Sequence, residues 1–393
     1  MNKLNSKYYL LSICTFMLFH VPIITVYFNS VLDSITLVSI LFTVKSITTA
    51  ALEIPTGYIA DRCSRKLSLL LGIVFNISSL VLFSVNPNFC TLLIGEVCFG
   101  IGECLTSGAD SAFFYDNFTA EGRNDDYNSF AKNLGLIQSV FLSISFFIGS
   151  IIYKSNNKIP FIATIVFQVI AMIVLLLIKE HPYKKNTGKK NNIKDDIKIF
   201  MENKDKDIAF ILVVYSLVLG MFICLYLQLF PIITYNLTGD SCLYGILYVV
   251  VMMVLGIGSK CSSDDIRTLP KFLLVLFMTM CIGIIINNNI YILIAILITR
   301  FMWGYISTGL SIYLNDNISN SNYRATIFSV LSITTNLFSS VFMFVVGFVM
   351  DNNIDLKYLF VICSLIILII FVLSKKFVSL KGGEKNELQS TNM

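Results

Sequence analysis

The chain of 393 residues consists mainly of long apolar runs separated by short polar segments. About a dozen runs approach the ~20 residues that a helix needs to cross a bilayer. Their approximate centres are Phe19, Ile47, Phe75, Glu103, Leu142, Val169, Leu219, Val250, Phe277, Phe301, Leu337 and Leu368. No set of alternating strands that would close into a barrel accompanies them, so helices are the expected spanning form. The pattern predicts an all-α membrane protein with about twelve transmembrane helices.

One hydrophilic stretch divides the apolar runs into two groups of six. It is rich in lysine and extends from Lys179 to Asp207. We therefore predict an N-terminal six-helix bundle (1–178), a cytoplasmic central loop (179–206), a C-terminal six-helix bundle (207–378) and a cytoplasmic tail (379–393). Part of the loop could form an amphipathic helix on the membrane surface, and a solvated linker is the alternative.

The two halves resemble each other weakly. Pro22-Ile-Ile-Thr25 recurs as Pro231-Ile-Ile-Thr234, and each copy is followed by a short polar link and an Asp-Ser pair. The shared order favours an internal duplication. Two pseudo-symmetric bundles with a site between them are typical of secondary transporters.

Composition and charge support a multi-pass membrane protein. Hydrophobic residues make up 56% of the chain and charged residues 13%, and the net charge is +5. The basic residues are concentrated in alternate loops instead of forming one patch, which argues against a nucleic-acid partner. By the positive-inside rule, both termini should lie in the cytoplasm, and we expect the plasma membrane as location.

A charged segment follows the second apolar run. Gly57 allows close helix approach at the end of the run, and Asp61, Arg62, Arg65 and Lys66 follow it. A fixed carboxylate among cations can face the positive N-terminal end of another helix. The spacing therefore predicts a breakable latch at the inner mouth of the protein.

This segment resembles the signature G-x-x-x-D-R-x-G-R-K of the major facilitator superfamily, with Ser64 in place of the second glycine. The resemblance implies twelve helices in two six-helix bundles and transport by alternating access. It also implies that Asp61 docks near Arg324 to Ile327 and stabilises an outward-open state. Ser107 to Ala112 and Tyr323 to Thr326 are similar to a bacterial efflux-type branch of the family.

Three acidic residues occur inside the fourth apolar run. Glu96, Glu103 and Asp110 follow one another at intervals of seven residues, in what we expect to be one continuous helix. A seven-residue step returns to nearly the same helix face about 10.5 Å further on. A charge at mid-membrane costs roughly 3 kcal/mol or more, so this face should look into protein or a water-filled cavity.

Two cations, Lys45 and Arg300, lie near the middle of other spans. The family resemblance implies that Glu103 and Arg300 line the central path. Intramembrane ionisable groups are functional candidates by default. Two interpretations stay open: Glu103 binds a proton or a cationic substrate group, with Asp110 and Glu96 extending a relay, or Lys45 and Glu103 form a static ion pair.

Several uncharged residues are candidates for the lining of a substrate cavity. Tyr226, Gln228 and Trp303 suit an amphipathic ligand, although aromatic residues are common in spans. His20 is a lone histidine in the first span, which either relays protons or packs with its hydrogen bonds satisfied.

The sequence contains no H-E-x-x-H, no G-x-S-x-G and no Walker loop. We therefore expect no enzyme activity, no cofactor and no metal, and energy that comes from an ion gradient or from the substrate itself. The pattern favours proton-coupled export of a small amphipathic drug or natural product by a functional monomer in the lipid bilayer. The alternatives are an importer or facilitator of an anionic metabolite that uses Arg300, and a non-transporting membrane sensor.

Overall fold

The structure, a computed structural model, describes residues 3–62, 64–107, 109–180, 206–238, 241–262, 268–286, 288–317, 321–352 and 354–390. All regular elements in these ranges are helices. The prediction of an all-α protein is therefore confirmed for the described residues. The predicted central loop lies almost wholly outside them.

Eight helices precede the central loop in the described part of the chain. They are α1 (Lys3–Phe16), α2 (Ile24–Leu32), α3 (Ile35–Arg62), α4 (Arg65–Ser84), α5 (Phe89–Thr106), α6 (Ala109–Ala120), α7 (Asn124–Ser155) and α8 (Ile159–Leu177).

The described helices after the loop begin with a helix that changes its winding. They are α9 (Lys206–Cys224), a π-helical turn (Leu225–Leu229), α10 (Phe230–Thr238), α11 (Ser241–Lys260), α12 (Leu269–Ile286), α13 (Asn289–Asn317), α14 (Ser321–Asp351) and α15 (Leu356–Ser390).

Among the described residues, ten helical segments are long and apolar enough to cross a membrane. Two further predicted spans are less regular. The apolar helix Lys271–Ile286 is shorter, and the first apolar run is divided between α1 and α2. The chain is thus a multi-pass membrane protein, while the number of twelve spans stays a prediction.

The break in the first run has a local cause. Pro22 has no N–H group, and its ring would clash with the carbonyl group four residues earlier in a continuous helix. The chain instead turns between Phe16 and Ile24, where the N–H group of Leu18 donates to Ser145 Oγ at 3.2 Å. His20 lies in this turn.

The contacts divide the chain into two compact units. Unit 1 contains Met1–Lys190 and Thr234–Met252, and unit 2 contains Asn191–Ile233 and Met253–Met393. In unit 1, α5 packs between α3 and α4, and α8 packs on α4. In unit 2, α9 packs on α14, and α12 packs on α15.

An aromatic cluster forms much of the core of unit 1. Tyr8 of α1 lies against Phe114, Phe118 and Phe130, with ring centroids 5.4 to 6.0 Å apart. These rings belong to α6 and α7 and are buried. The cluster anchors α6 directly after the polar end of α5.

Candidate functional site

Two glycines bring α5 against its neighbours. A Cβ atom on Gly100 would lie 3.1 Å from the carbonyl oxygen of Lys45, and one on Gly102 would lie 2.9 Å from that of Gly72. Both distances are tighter than ordinary contacts, so the backbones touch at these points. The close approach of α5 to α3 places the acidic face of α5 within reach of Lys45.

Lys45 and Glu103 form an ion pair. Lys45 Nζ lies 2.9 Å from Glu103 Oε2, and their side chains are 20% and 48% exposed. Lys45 Nζ also lies 5.0 Å from the centroid of the Phe99 ring. The structure thus contains the ion pair of the second interpretation, and whether the pair is static or takes part in transport stays a prediction.

Glu96 is held very differently from Glu103. It is 1% exposed, and neither carboxyl oxygen has a hydrogen-bond partner among the described residues. Lys45 and Glu103 are the charged groups that act on it. A buried carboxylate without hydrogen bonds is strongly disfavoured, whereas the neutral acid has a much smaller desolvation cost.

Asp110 does not continue the helix of the other two acids. Helix α5 ends at Thr106, because Ser107 adopts a non-helical ψ of 119°. Asp110 lies in the first turn of the next helix, α6. The prediction of one continuous helix is therefore wrong. A carboxylate in a first turn is stabilised by the helix dipole, which favours a local structural role for Asp110.

A cavity of about 430 Å³ lies within unit 1, among α1, α4, α5, α6 and α8. Its polar lining includes Ser12, Thr15, His20, Asn76, Glu103, Thr106, Ser107, Asp110, Thr164 and Gln168. Glu103 and Asp110, which lie on different helices, therefore border the same cavity. Glu96 does not line it.

His20 lies in the turn between α1 and α2 and is one of the residues that line this cavity. Its Nδ1 lies 3.2 Å from Thr164 Oγ1, and Thr164 Oγ1 donates to the carbonyl oxygen of Pro160 at 2.9 Å. Because the hydroxyl hydrogen is already used, Nδ1 is the donor to Thr164. His20 Nε2 has no hydrogen-bond partner within the described residues.

Sequence reasoning missed two amides of the cavity, Asn76 and Gln168. Gln168 Nε2 donates to the carbonyl oxygen of Thr15 at 3.3 Å, while Gln168 Oε1 and Asn76 Oδ1 have no partner in the described structure. The available signal was a single amide near the middle of an otherwise apolar span.

Unit 2 holds a buried cation of its own. Arg300 of α13 is 3% exposed, and its guanidinium carbon lies 3.6 Å from the centroid of the Tyr226 ring and 4.3 Å from that of Trp303. Tyr226 and the buried Gln228 belong to the π-helical turn. π-Helical turns are frequent at functional sites. The structure brings Tyr226, Trp303 and Arg300 together, as candidates for one binding site.

Part of the predicted latch has partners within unit 1. Arg65 forms an ion pair with Asp116 and donates to the carbonyl oxygen of Ala112 at 2.7 Å. Lys66 Nζ donates at 2.6 Å to the carbonyl oxygen of Ile178, at the end of α8. These contacts bind the start of α4 to α6 and α8.

The remaining residues of the latch cannot be placed in the same way. The surroundings of Gly57 and the side chains of Asp61, Arg62 and residues 324–327 lie outside the described part of the structure. The docking of Asp61 on the start of α14 therefore stays a prediction. At the start of α4, Glu180 Oε2 accepts a hydrogen bond from Ser64 Oγ at 2.6 Å.

Known proteins show the same fold. A mutant of the nucleoside transporter NupG aligns with a TM-score of 0.76 and 13% identity, over 95% of this chain and 100% of that one. A second structure of the nucleoside transporter NupG aligns with a TM-score of 0.73 and 12% identity, over 96% of this chain and 99% of that one. A D-xylose-proton symporter aligns with a TM-score of 0.70 and 12% identity, over 95% of this chain and 97% of that one.

The sequence supports the family independently of these structures. No curated protein has a significant sequence match to the chain. The family model of the Major Facilitator Superfamily matches residues 8–320, which is most of the chain. This family indicates a transporter and not an enzyme, and it does not by itself select the efflux-type branch. The chain belongs to the Major Facilitator Superfamily.

Proposed function

We propose that the protein is a proton-coupled secondary transporter that exports a small amphipathic compound by alternating access. The observation that carries the coupling is the Lys45–Glu103 ion pair, whose acidic member, Glu103, lines a cavity within unit 1. A half-exposed carboxylate beside a cation can be reached by water and can exchange its partner. A fully sealed pair lacks that access.

The coupling follows from competition for Glu103. When a proton or a cationic group of the substrate binds the carboxylate, the attraction to Lys45 is lost. Two unit charges about 4 Å apart attract by about 4 kcal/mol at an effective dielectric of 20, so the exchange is large enough to bias two conformations. Substrate and proton that compete for one carboxylate give antiport.

The experiment is substrate flux in proteoliposomes with an imposed pH gradient, repeated after the gradient has been collapsed. We expect accumulation against the substrate gradient only while the pH gradient is present. In Glu103→Gln, gradient-driven accumulation should be lost and exchange of a cationic substrate should be weakened, because the variant lacks the carboxylate for which substrate and proton compete. Unchanged coupled transport in this variant would exclude Glu103 as the coupling residue.

A second function is favoured by the surroundings of Arg300. A buried guanidinium between Tyr226 and Trp303 suits a planar anionic metabolite, which would pair with the cation and stack on the rings. Two of the similar structures are those of a nucleoside transporter and a D-xylose-proton symporter. Import of a metabolite is therefore a consistent alternative. Proton-driven uptake of the substrate in the flux assay, instead of its extrusion, would favour this second function.

The proposal also includes twelve spans in two six-helix bundles, cytoplasmic termini, the plasma membrane and a working monomer. The lysine-rich central segment supports the orientation. Accessibility of a tag at each terminus in intact and permeabilised cells tests it. A tag accessible in intact cells would reverse the assigned orientation.

A further inference from the structure

The arrangement around Lys45 contains two acids for one cation. Glu103 holds the cation at 2.9 Å, and Glu96 is buried without a hydrogen-bond partner in the described part of the chain. The two acids are seven residues apart on α5, which is about 10.5 Å along the helix axis. Lys45 interacts electrostatically with both of them.

We infer that Glu96 and Glu103 share one proton, and that Lys45 changes its partner when this proton moves from one acid to the other. In the conformation described, Glu96 is the neutral acid and Glu103 the carboxylate. In the second state, Glu103 is the neutral acid and Glu96 is the carboxylate that binds Lys45. The inference rests on the proposed proton coupling and assigns its proton store to Glu96.

The exchange balances without any further reactant. The O–H bond of the Glu96 carboxyl breaks, an O–H bond forms on Glu103, and water carries the proton. Lys45 keeps its charge throughout. The three side chains together are neutral in both states, so neither state leaves a net charge within the apolar bundle.

The surroundings of Glu96 favour exchange with Glu103. Lys45 of α3 and Glu103 of α5 are the charged groups that act on it. Glu103 also acts electrostatically on Glu53, and Lys45 acts electrostatically on His20. On the α4 side, the ring of Phe83 lies against Gly95, beside Glu96. Once Glu103 is protonated, Glu96 is the acid through which Lys45 regains a carboxylate.

Infrared spectroscopy of the purified full chain at neutral pH tests the shared proton directly. The wild type should show the carbonyl band of a protonated buried carboxyl group, and Glu96→Gln should lose it. Glu103→Gln should lose it as well, because Lys45 then pairs with Glu96 and ionises it. Adding Lys45→Gln to Glu103→Gln should restore the band, since no cation remains to ionise Glu96.

If Glu96 has a purely structural role, the infrared bands of the variants should differ from those just described. If Glu96 is a permanently neutral packing residue, its band persists in Glu103→Gln, and this result would overturn the inference. The matched control is Asp33→Asn, an acid-to-amide change at an exposed position with φ of 51°, which asparagine tolerates. The band should be unchanged in this control.

Transport gives the second readout. Glu96→Gln should keep substrate exchange but reduce proton-driven accumulation about tenfold, and Glu96→Asp should recover part of it. Coupled transport at the wild-type level in Glu96→Gln contradicts the inference, because glutamine mimics only the neutral acid. If the wild type does not couple to protons, the proposed function fails, while the infrared pattern still decides whether the proton is shared.

Discussion

Each unit of the protein contains a cation inside its apolar bundle, and the two are stabilised in different ways. Lys45 of unit 1 pairs with a carboxylate and has a second acid nearby, whereas Arg300 of unit 2 lies on the faces of Tyr226 and Trp303. A carboxylate can take a proton and release its cation. An aromatic face cannot, so it holds the cation at every pH. We therefore propose that the first site couples transport to protons, whereas the second holds a permanent cation that suits the anionic ligand of the alternative function.

The largest effect is expected from loss of the cation of unit 1. Lys45→Met leaves Glu103 without its partner, and proton-driven accumulation should fall about 100-fold, a loss smaller than the roughly 4 kcal/mol of charge attraction that the pair supplies. Lys45→Arg, which keeps the charge, should restore part of it. Flux in proteoliposomes measures both. Wild-type coupling in Lys45→Met would remove the difference between the two sites.

A steric change at Gly100 tests whether the ion pair depends on helix contact. Gly100→Val adds a branched side chain where a Cβ atom would already lie 3.1 Å from the backbone of Lys45. Overpacking should destabilise the protein by about 1–3 kcal/mol and separate Lys45 from Glu103. Thermal unfolding in detergent measures the first effect, and the flux assay the second. The control is Gly135→Ala, since no atom of the described structure lies within 4 Å of the place that the added methyl group would take.

Removal of an aromatic face probes the site of unit 2. Trp303→Ala removes a ring that lies 4.3 Å from the Arg300 guanidinium, which should weaken substrate binding by about 1–2 kcal/mol without changing the proton dependence. Trp303→Phe should retain most of the affinity. A changed proton dependence in Trp303→Ala would show that both sites take part in coupling.

The smallest effect is expected at His20. His20→Asn can keep the donor to Thr164 but loses Nε2 and the ring packing against Phe99 and Phe161. We expect a loss of about 1 kcal/mol in stability and an unchanged pH profile of transport. A shifted pH profile with intact folding would instead assign His20 to the proton path.

The pattern of the sequence predicted the membrane helices well, because the cost of burying polar groups in lipid acts on each segment separately. Ten of the expected spans are present as long apolar helices in the described chain. The break after Thr106 was missed, since Ser107 is compatible with either a helix or its end. Asp110 was therefore assigned to the wrong helix.

The sequence pointed to the charged residues within the spans as candidates, but it did not point to the two amides that line the cavity. Lys45, Glu96, Glu103 and Arg300 were conspicuous because ionised groups are rare in spans. Asn76 and Gln168 were not, since an uncharged amide disturbs the hydrophobic pattern much less. Arg65 lies close to Asp61 in the sequence, yet its described ion pair is with Asp116, and only the packing of α4 on α6 decides that.

The sequence by itself determined the helical membrane architecture, the family and the identity of the charges within the spans. Each of these follows from the residue types of short segments and the solvent that surrounds them. Only the tertiary structure decided that Glu103 holds Lys45 while Glu96 has no hydrogen bond to any described residue, although both acids occupy nearly one face of one helix. The physical reason is contact: Gly100 brings α5 onto α3 beside Lys45, between the two acids, and only the packing of the side chains there determines which acid the lysine meets.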